Sequence, residues 1–190
     1  QDPDGGPMES GETRTRTITL GDRDACTFSA NAGDTVTILM AAGGFYPQVE
    51  LHAPDGPVVA TAGQEYSYSA TIQTQRVAQA GTYFIVCRST SGTATGSYGV
   101  SLIKNPGSPN STQDPDGGPM QSGETRTGTI TLADLDACTF SANAGDTVTI
   151  LMGTIGFYPR VELHAPDGTV VATKAPFESY SATIEALRLD

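Results

Sequence analysis

The chain of 190 residues has no tryptophan, only three cysteines and two histidines, and few basic residues. Its 10 Lys and Arg residues stand against 21 Asp and Glu residues, so the formal net charge is −11. An acidic surface repels nucleic-acid phosphates and anionic lipid head groups, which argues against both as partners. No apolar run approaches the roughly 20 residues of a membrane-spanning helix, so we expect no membrane insertion.

Sequence motifs of the common enzyme classes are also lacking. The chain has no G-x-S-x-G, H-E-x-x-H or C-x-x-C motif and no glycine-rich phosphate loop. The histidines, His52 and His164, each precede an APDG turn, and no nucleophile motif accompanies them. The sequence therefore favours a protein that is not an enzyme.

Apolar residues alternate with polar ones along short segments that end at glycine, proline or asparagine. This period of two is typical of strands with one buried face, and no segment has the 3.6-residue period of a helix. NAGD at 31–34 and APDG at 53–56 predict turns. The pattern predicts about eight strands in an all-β sandwich, with stripes of Cys26, Phe28 and Ala30; Val36, Ile38 and Met40; Val49 and Leu51; Tyr66, Tyr68, Ala70 and Ile72; Tyr83, Ile85 and Cys87; and Tyr98, Val100 and Leu102.

The sequence repeats itself with a period of 112 residues. When residues 1–78 are aligned with 113–190, 59 of 78 positions are identical. Each copy opens with the acidic, glycine-rich lead-in QDPDGGPM, and TFSANAGDTVTILM recurs unchanged. Because the period is close to the commonest domain size, we interpret each copy as one domain.

The predicted organisation is one complete repeat at 1–104 with its lead-in at 1–12, a Pro-, Gly- and Ser-rich linker at 105–113, and a second copy at 114–190. The second copy lacks the counterpart of 79–112, so its sandwich is incomplete and exposes sheet edges. Either the chain is part of a longer array, which we favour, or strands of another chain complete the second copy. The first residue, Gln rather than Met, also indicates a processed chain or a piece of a longer one.

Four segments, in this order, resemble the bacterial pre-peptidase C-terminal domain: ITLGDRDACTFSANAGDTVTI, VELHAPDGPVVAT, AGTYFIVC and GSYGVSL. The resemblance covers 10–104 and 122–190, and Cys26 departs from it because such domains often have an aromatic or aliphatic residue there. It implies tandem, jelly-roll-like antiparallel β-sandwich domains at the bacterial cell surface or outside the cell. Such domains accompany secreted proteases or recur in large surface proteins. Some bind collagen or polysaccharide, and some bind calcium through an acidic N-terminal linker.

Cys26 and Cys87 each lie in phase with inward apolar residues, and we expect them to form a disulfide. The bond would close a loop of about 60 residues and stabilise the domain by roughly 4 kcal/mol. Cys138 repeats Cys26, and we expect its partner to lie outside these 190 residues. A disulfide indicates an extracytoplasmic location. The alternative is buried, reduced cysteines in a cytosolic protein.

Aspartates two residues apart recur at equivalent positions of both copies. Calcium takes six to eight oxygen ligands, which clustered carboxylates and loop carbonyls supply. The alternative is solvated turns in which each aspartate accepts bonds from its own backbone, since the full D-x-[DN]-x-[DN]-G motif is lacking. The candidate calcium ligands are Asp2, Asp4, Asp22, Asp24, Asp114, Asp116, Asp134 and Asp136.

Two further features are candidate binding or modification sites. The GFYP segments place Phe45 and Tyr46, and in the second copy Phe157 and Tyr158, on a loop. Their rings either stack on sugars, anchor a neighbouring domain or close the end of the sandwich. Asn110, followed by Ser and Thr in the linker, fits a glycosylation motif.

These observations predict a non-enzymatic extracellular structural protein: a fibre, stalk or surface spacer whose near-identical repeats contact one another. Its partners are then further copies of the same repeat, in the same chain or in neighbouring subunits. One alternative is an adhesin that binds polysaccharide or matrix through loop aromatics and calcium. Another is the accessory C-terminal region of a secreted hydrolase.

Overall fold

The computed structural model describes residues 4–190, and this part of the chain contains strands and turns but no helix. The strands are β1 Gly6–Pro7, β2 Glu12–Ile18, β3 Asp24–Ala30, β4 Thr35–Ala42, β5 Pro47–His52, β6 Val58–Ala62, β7 Ser69–Arg76, β8 Gly81–Ser89, β9 Gly96–Asn105, β10 Gly117–Pro119, β11 Ala137–Thr139, β12 Thr147–Gly153, β13 Val161–His164, β14 Val170–Lys174 and β15 Ser181–Arg188. No segment described here is a helix long and apolar enough to cross a membrane.

The first repeat is a two-layered β-sandwich. One sheet has the strand order β1-β3-β8-β5-β6, and the other has the order β2-β9-β4-β7. All pairs are antiparallel except the short pair of β1 and β3, which is parallel. The predicted all-β sandwich is therefore confirmed, with the parallel lead-in strand as a feature that the alternation did not predict.

The core lies between the two sheets and contains the stripes that the alternation predicts. Along β8, Tyr83, Ile85 and Cys87 are buried while the residues between them are more exposed, because successive side chains of a strand point to opposite faces. Tyr98, Val100 and Leu102 of β9 face them from the second sheet. β8 and β9 each lie between two other strands, so both sheets depend on them.

One predicted stripe is wrong at its start. Ala70 and Ile72 are buried in β7, but Tyr66 and Tyr68 precede this strand and are exposed. Tyr66 has a φ of 71°, which is turn geometry and interrupts the alternation of an extended strand.

The strands of the second repeat form three separate two-stranded sheets: β10 with β11, β12 with β15, and β13 with β14. The chain divides into a compact unit that ends at Thr139 and a second unit, Phe140–Asp190. The first unit thus contains the whole first repeat together with the lead-in and first turn of the second. Within the second unit, β12 and β13 each pair along one edge only among the described strands.

Candidate functional site: an acidic junction between the repeats

Each acidic lead-in forms a strand of its own repeat. β10 pairs in parallel with β11, as β1 does with β3. The approach is close: a Cβ on Gly117 would lie 2.3 Å from the carbonyl oxygen of Ala137, and one on Gly5 would lie 2.5 Å from that of Ala25. Only glycine fits at these two positions, which explains why the lead-in is rich in it.

A turn follows the lead-in of each repeat, and an aspartate closes it. In the second repeat Thr131 donates from its backbone nitrogen, at 3.0 Å, and from its hydroxyl, at 3.2 Å, to Oδ2 of Asp134. We call residues 131–134 the second-repeat turn. Residues 19–22 form the first-repeat turn, in which the same two bonds from Thr19 to Asp22 are both 3.1 Å long.

The second-repeat turn packs against β2 and β9 of the first repeat. Ser101 donates its hydroxyl to the carbonyl oxygen of Ala133, and Thr13 donates its own at 3.0 Å to Oδ1 of Asp134. A Cβ on Gly99 would lie 2.0 Å from the carbonyl oxygen of Leu132, so the turn lies directly on this glycine. We call Thr13, Gly99 and Ser101 the seat.

Three carboxylates meet beside the seat. Asp114 from the lead-in, Asp134 from the turn and Asp136 each place one oxygen within 4.8 Å of the others. Asp116 is close by, because a Cβ on Gly128 would contact Oδ2 of both Asp116 and Asp136, at 3.2 and 3.1 Å. The structure therefore brings together the four aspartates that the sequence predicts for the second repeat.

The electrostatics of this cluster disfavour four negative charges. Desolvation, together with the carboxylates of Asp134, Asp116 and Asp114, raises the pKa of Asp136 to about 7. The pKa of Asp114 is raised as well, first by desolvation and then by the carboxylates of Asp134 and Asp116. Oδ2 of Asp114 is buried and accepts no hydrogen bond from the described residues. A buried acceptor without a donor fits a bound cation.

The first repeat arranges the equivalent aspartates differently. Nε of Arg16 lies 3.8 Å from Oδ1 of Asp4, whereas the second repeat has Gly128 in place of this arginine. Asp24 is buried and accepts a 2.6 Å hydrogen bond from the hydroxyl of Tyr98, whereas its counterpart Asp136 is exposed. Asp22 caps its own turn, and Asp2 lies outside the described residues. Among these residues, the acidic cluster forms in the second repeat only.

The cysteines are free thiols in the structure. Cys26 lies opposite Ile85 in the pair of β3 and β8, and Cys87 lies opposite Asp24, so the two cysteines are diagonal neighbours in one sheet rather than directly opposed. Both are buried, whereas Cys138 is exposed. The structure does not contain the predicted disulfide.

The predicted aromatic sites differ in their exposure. Phe45 is buried in the core, which fits the alternative that this ring closes the end of the sandwich rather than contacts a ligand. Tyr46 instead forms a surface cluster with Tyr66 and Tyr68, at centroid distances of 5.6 and 5.3 Å. We call these three side chains the first aromatic cluster.

The second repeat has an aromatic cluster too, and sequence reasoning missed part of it. Tyr158 lies 6.2 Å from Phe177 and 5.6 Å from Tyr180 between ring centroids, and Phe157 is exposed beside them. Position 177 is equivalent to Glu65, so Glu and the aromatic residue have exchanged places between the repeats. This exchange between the aligned copies was the signal in the sequence for the surface aromatic cluster of the second repeat.

Asn110 lies in the linker with its side chain half buried. Its Nδ2 donates a 3.3 Å hydrogen bond to the carbonyl oxygen of Pro115. A Cβ on Gly11 would lie 2.4 Å from Cα of Asn110, so the linker passes close to the first repeat here. A glycan on Nδ2 would displace the bond to Pro115.

No protein-family model matches the chain, and no curated protein does. A similar solved structure is the pre-peptidase C-terminal domain of a collagenase from Bacillus anthracis, with 17% identity and a TM-score of 0.43 over 54% of this chain and 97% of that one. It is the kind of domain that the sequence motifs resemble.

Another similar structure is PliG of Aeromonas hydrophila, a periplasmic inhibitor of g-type lysozyme. It has 13% identity and a TM-score of 0.44, over 53% of this chain and 96% of that one. The PliG of Salmonella Typhimurium has 14% identity and a TM-score of 0.41, over 54% and 99%. At these identities and TM-scores, none of the three indicates a function for this chain.

Proposed function

We propose that the chain is part of a non-enzymatic, extracellular bacterial structural protein built from repeated β-sandwich domains. The observation that carries this proposal is the junction, where the lead-in and turn of the second repeat pack in one compact unit with the first repeat. Each repeat of such a protein would contact the turn of the next repeat through the same seat. Because every junction is then the same, the repeats are suited to form a stalk or fibre.

The native protein provides the test. Its intact mass under denaturing and reducing conditions is expected to exceed 19.7 kDa, and electron micrographs are expected to show elongated particles with regularly spaced domains. A compact particle that carries hydrolase activity would instead make these repeats an accessory region of an enzyme.

We also propose that the junction of the second repeat binds calcium. Asp114, Asp134 and Asp136 supply oxygens within 4.8 Å of one another, and Asp116 is adjacent. Carboxylate oxygens are the ligands that Ca²⁺ prefers, and a divalent cation removes the repulsion that raises the pKa of Asp136. In the first repeat Arg16 supplies a cation beside Asp4, and glycine at position 128 leaves that place to an ion.

Equilibrium dialysis with Ca²⁺ tests this second proposal. The wild type is expected to bind calcium, whereas Asp136→Asn and Gly128→Arg, which restores the arginine of the first repeat, are expected to lose it. Asp55→Asn is the matched control, because Asp55 contacts Gln79 and takes no part in the cluster. Equal binding by all four proteins would place calcium elsewhere.

The aromatic clusters favour a second candidate function, a module that binds polysaccharide or matrix. Tyr66 and Phe177 are almost fully exposed although they stand one position apart in the aligned repeats, so both repeats keep a third ring at the surface. Exposed tyrosines combine an apolar face with a hydroxyl, which suits a sugar ring. Retention on insoluble polysaccharide or collagen, lost in Tyr46→Ala and kept in His52→Ala, would support this function.

A further inference from the structure

The first-repeat turn and the second-repeat turn have the same local structure. Besides the two bonds to the aspartate, the backbone nitrogen of Asp22 donates to Thr19 at 3.2 Å, and that of Asp134 donates to Thr131 at 3.3 Å. Gly21 and Ala133, the third residues of the turns, have φ values of 75° and 64°. Any surface that accepts one of these backbones therefore has the right shape for the other.

The two turns differ in what covers them. Leu132 is 40% exposed and Ala133 is 6% exposed, because the second-repeat turn lies in the seat. Leu20 is 73% exposed and Gly21 is exposed as well. Leu20 and Gly21 thus expose to solvent the part of the turn that the seat receives from the second repeat, while the backbone nitrogen of Gly21 donates to Gly92 at 3.2 Å.

The backbone of Ala133 shows that the seat selects this shape. A left-handed φ is strained for an L-amino acid but not for glycine. Ala133 nevertheless adopts it, and a Cβ on Gly99 would lie only 3.0 Å from its methyl group. Contacts in the seat offset the strain of the turn.

We propose that the first-repeat turn is a docking surface whose partner is the seat of a second copy of this repeat. In that contact Ser101 of the second copy donates to the carbonyl oxygen of Gly21, and Gly99 of that copy lies against the carbonyl of Leu20. This inference rests on the proposed function as a repeat-built structural protein, for which it identifies the contact surface.

The contact is head-to-tail, because turn and seat are different surfaces of one repeat. A contact of this kind does not close on itself as a two-fold dimer does, so it propagates along a line of repeats. In this chain the seat of the first repeat is occupied by the tethered second-repeat turn, whose effective concentration is high. The wild-type chain is therefore expected to self-associate weakly through this surface.

The full-length chain with its seat opened tests the proposal. Ala133→Glu places a carboxylate in the buried seat beside the acidic cluster, which expels the second-repeat turn without changing the first repeat. In metal-free buffer, sedimentation equilibrium of this variant is expected to give a mass that rises with concentration above 19.7 kDa. Hydrogen exchange at Ser101 and Leu132 reports whether the seat has opened, and circular dichroism reports whether the sandwich is folded.

Two double variants separate this contact from association through the sheet edges of the second repeat. Ala133→Glu with Gly99→Ala blocks the seat, and Ala133→Glu with Gly21→Glu alters the first-repeat turn. Both are expected to stay monomeric. Association that persists in both, or a folded, opened Ala133→Glu chain that stays monomeric, overturns the inference. These results do not depend on the intact mass and the electron micrographs of the native protein, which test the proposed function separately.

Discussion

The segments Thr27–Met40 and Thr139–Met152 have the same sequence but different surroundings. In the first repeat, β4 lies between β7 and β9, and Val36, Ile38 and Met40 are buried. In the second repeat, β12 pairs with β15 alone, and the same three side chains are only half buried. The comparison shows that this sequence specifies a strand but not a core position.

The two copies share the structural features that form among residues present in both. The backbone nitrogen of Asn31 donates at 2.9 Å to Asp34, and that of Asn143 donates at 2.8 Å to Asp146. The β4–β7 and β12–β15 pairs also share a register shift, between Val36 and Ile38 in the first copy and between Val148 and Ile150 in the second. Both features form among residues 1–78 and their counterparts 113–190, whereas burial of β4 depends on β8 and β9, which follow these residues in the first copy.

Adding the counterparts of β8 and β9 to the second repeat is expected to remove the difference in burial between the two copies. A chain extended after Asp190 by the sequence of residues 79–112 should bury Val148, Ile150 and Met152, each worth roughly 1.5–3 kcal/mol. Hydrogen exchange is expected to show new protection of β12 and β13. The control extension carries Asp in place of the residues equivalent to Tyr83 and Ile85, and equal protection with both extensions would contradict the explanation.

A matched pair of substitutions measures the difference directly. Ile38→Ala is expected to lower the free energy of unfolding of the first repeat by about 2–5 kcal/mol, because it leaves a cavity in a closed core. Ile150→Ala, in the same sequence, is expected to cost about 1 kcal/mol or less. Urea unfolding of both variants gives the comparison, and equal losses would mean that the second repeat has a closed core in solution.

The hydrogen bond from Tyr98 to Asp24 has no counterpart at Asp136, since the second repeat lacks the equivalent of β9. Tyr98→Phe is expected to destabilise the first repeat by about 1–3 kcal/mol, because a buried carboxylate loses a donor. Tyr68→Phe, at an exposed position, serves as the control and should stay within about 0.5 kcal/mol of wild type in thermal unfolding.

The smallest expected difference between the copies is in the thiol reactivity of the equivalent cysteines, Cys26 and Cys138. Desolvation raises the pKa of all three thiols, but Cys26 and Cys87 are buried and Cys138 is exposed, so a thiol reagent is expected to label Cys138 first. Mass spectrometry after labelling in denaturant without reductant counts the thiols. Three labels agree with the structure, and a single label would restore the predicted disulfide.

The alternation of residues was sufficient to predict the all-β class and the core stripes of the first repeat, but not its parallel lead-in strand. Each stripe that it placed in the core is buried, apart from Tyr66 and Tyr68, where a left-handed residue ends the extended geometry. The recurring aspartates indicated which residues of the second repeat meet in the carboxylate cluster, but not that the first repeat arranges its equivalents differently. The loop motif did not show which of the two adjacent rings, Phe45 or Tyr46, points inward.

The seat was not predictable from periodicity. Thr13, Gly99 and Ser101 come from two strands that meet only in the folded sheet, and their partner, Ala133, stands 32 residues beyond Ser101. The one indication of the seat in the sequence was Gly99 within β9, because a glycine in a strand often marks the close approach of another backbone.

The parallel pairing of each lead-in with its own repeat bears on how the chain responds to tension. A pull on the linker before Gly117 is opposed by the chain after Thr139, and β10 and β11 then slide along each other. In this shear geometry the backbone hydrogen bonds share the load and break together, whereas an antiparallel hairpin pulled at its open end loses its bonds one by one. Because these glycines let the lead-in lie so close to the sheet, the short pair that they form is the one that such a pull loads in shear.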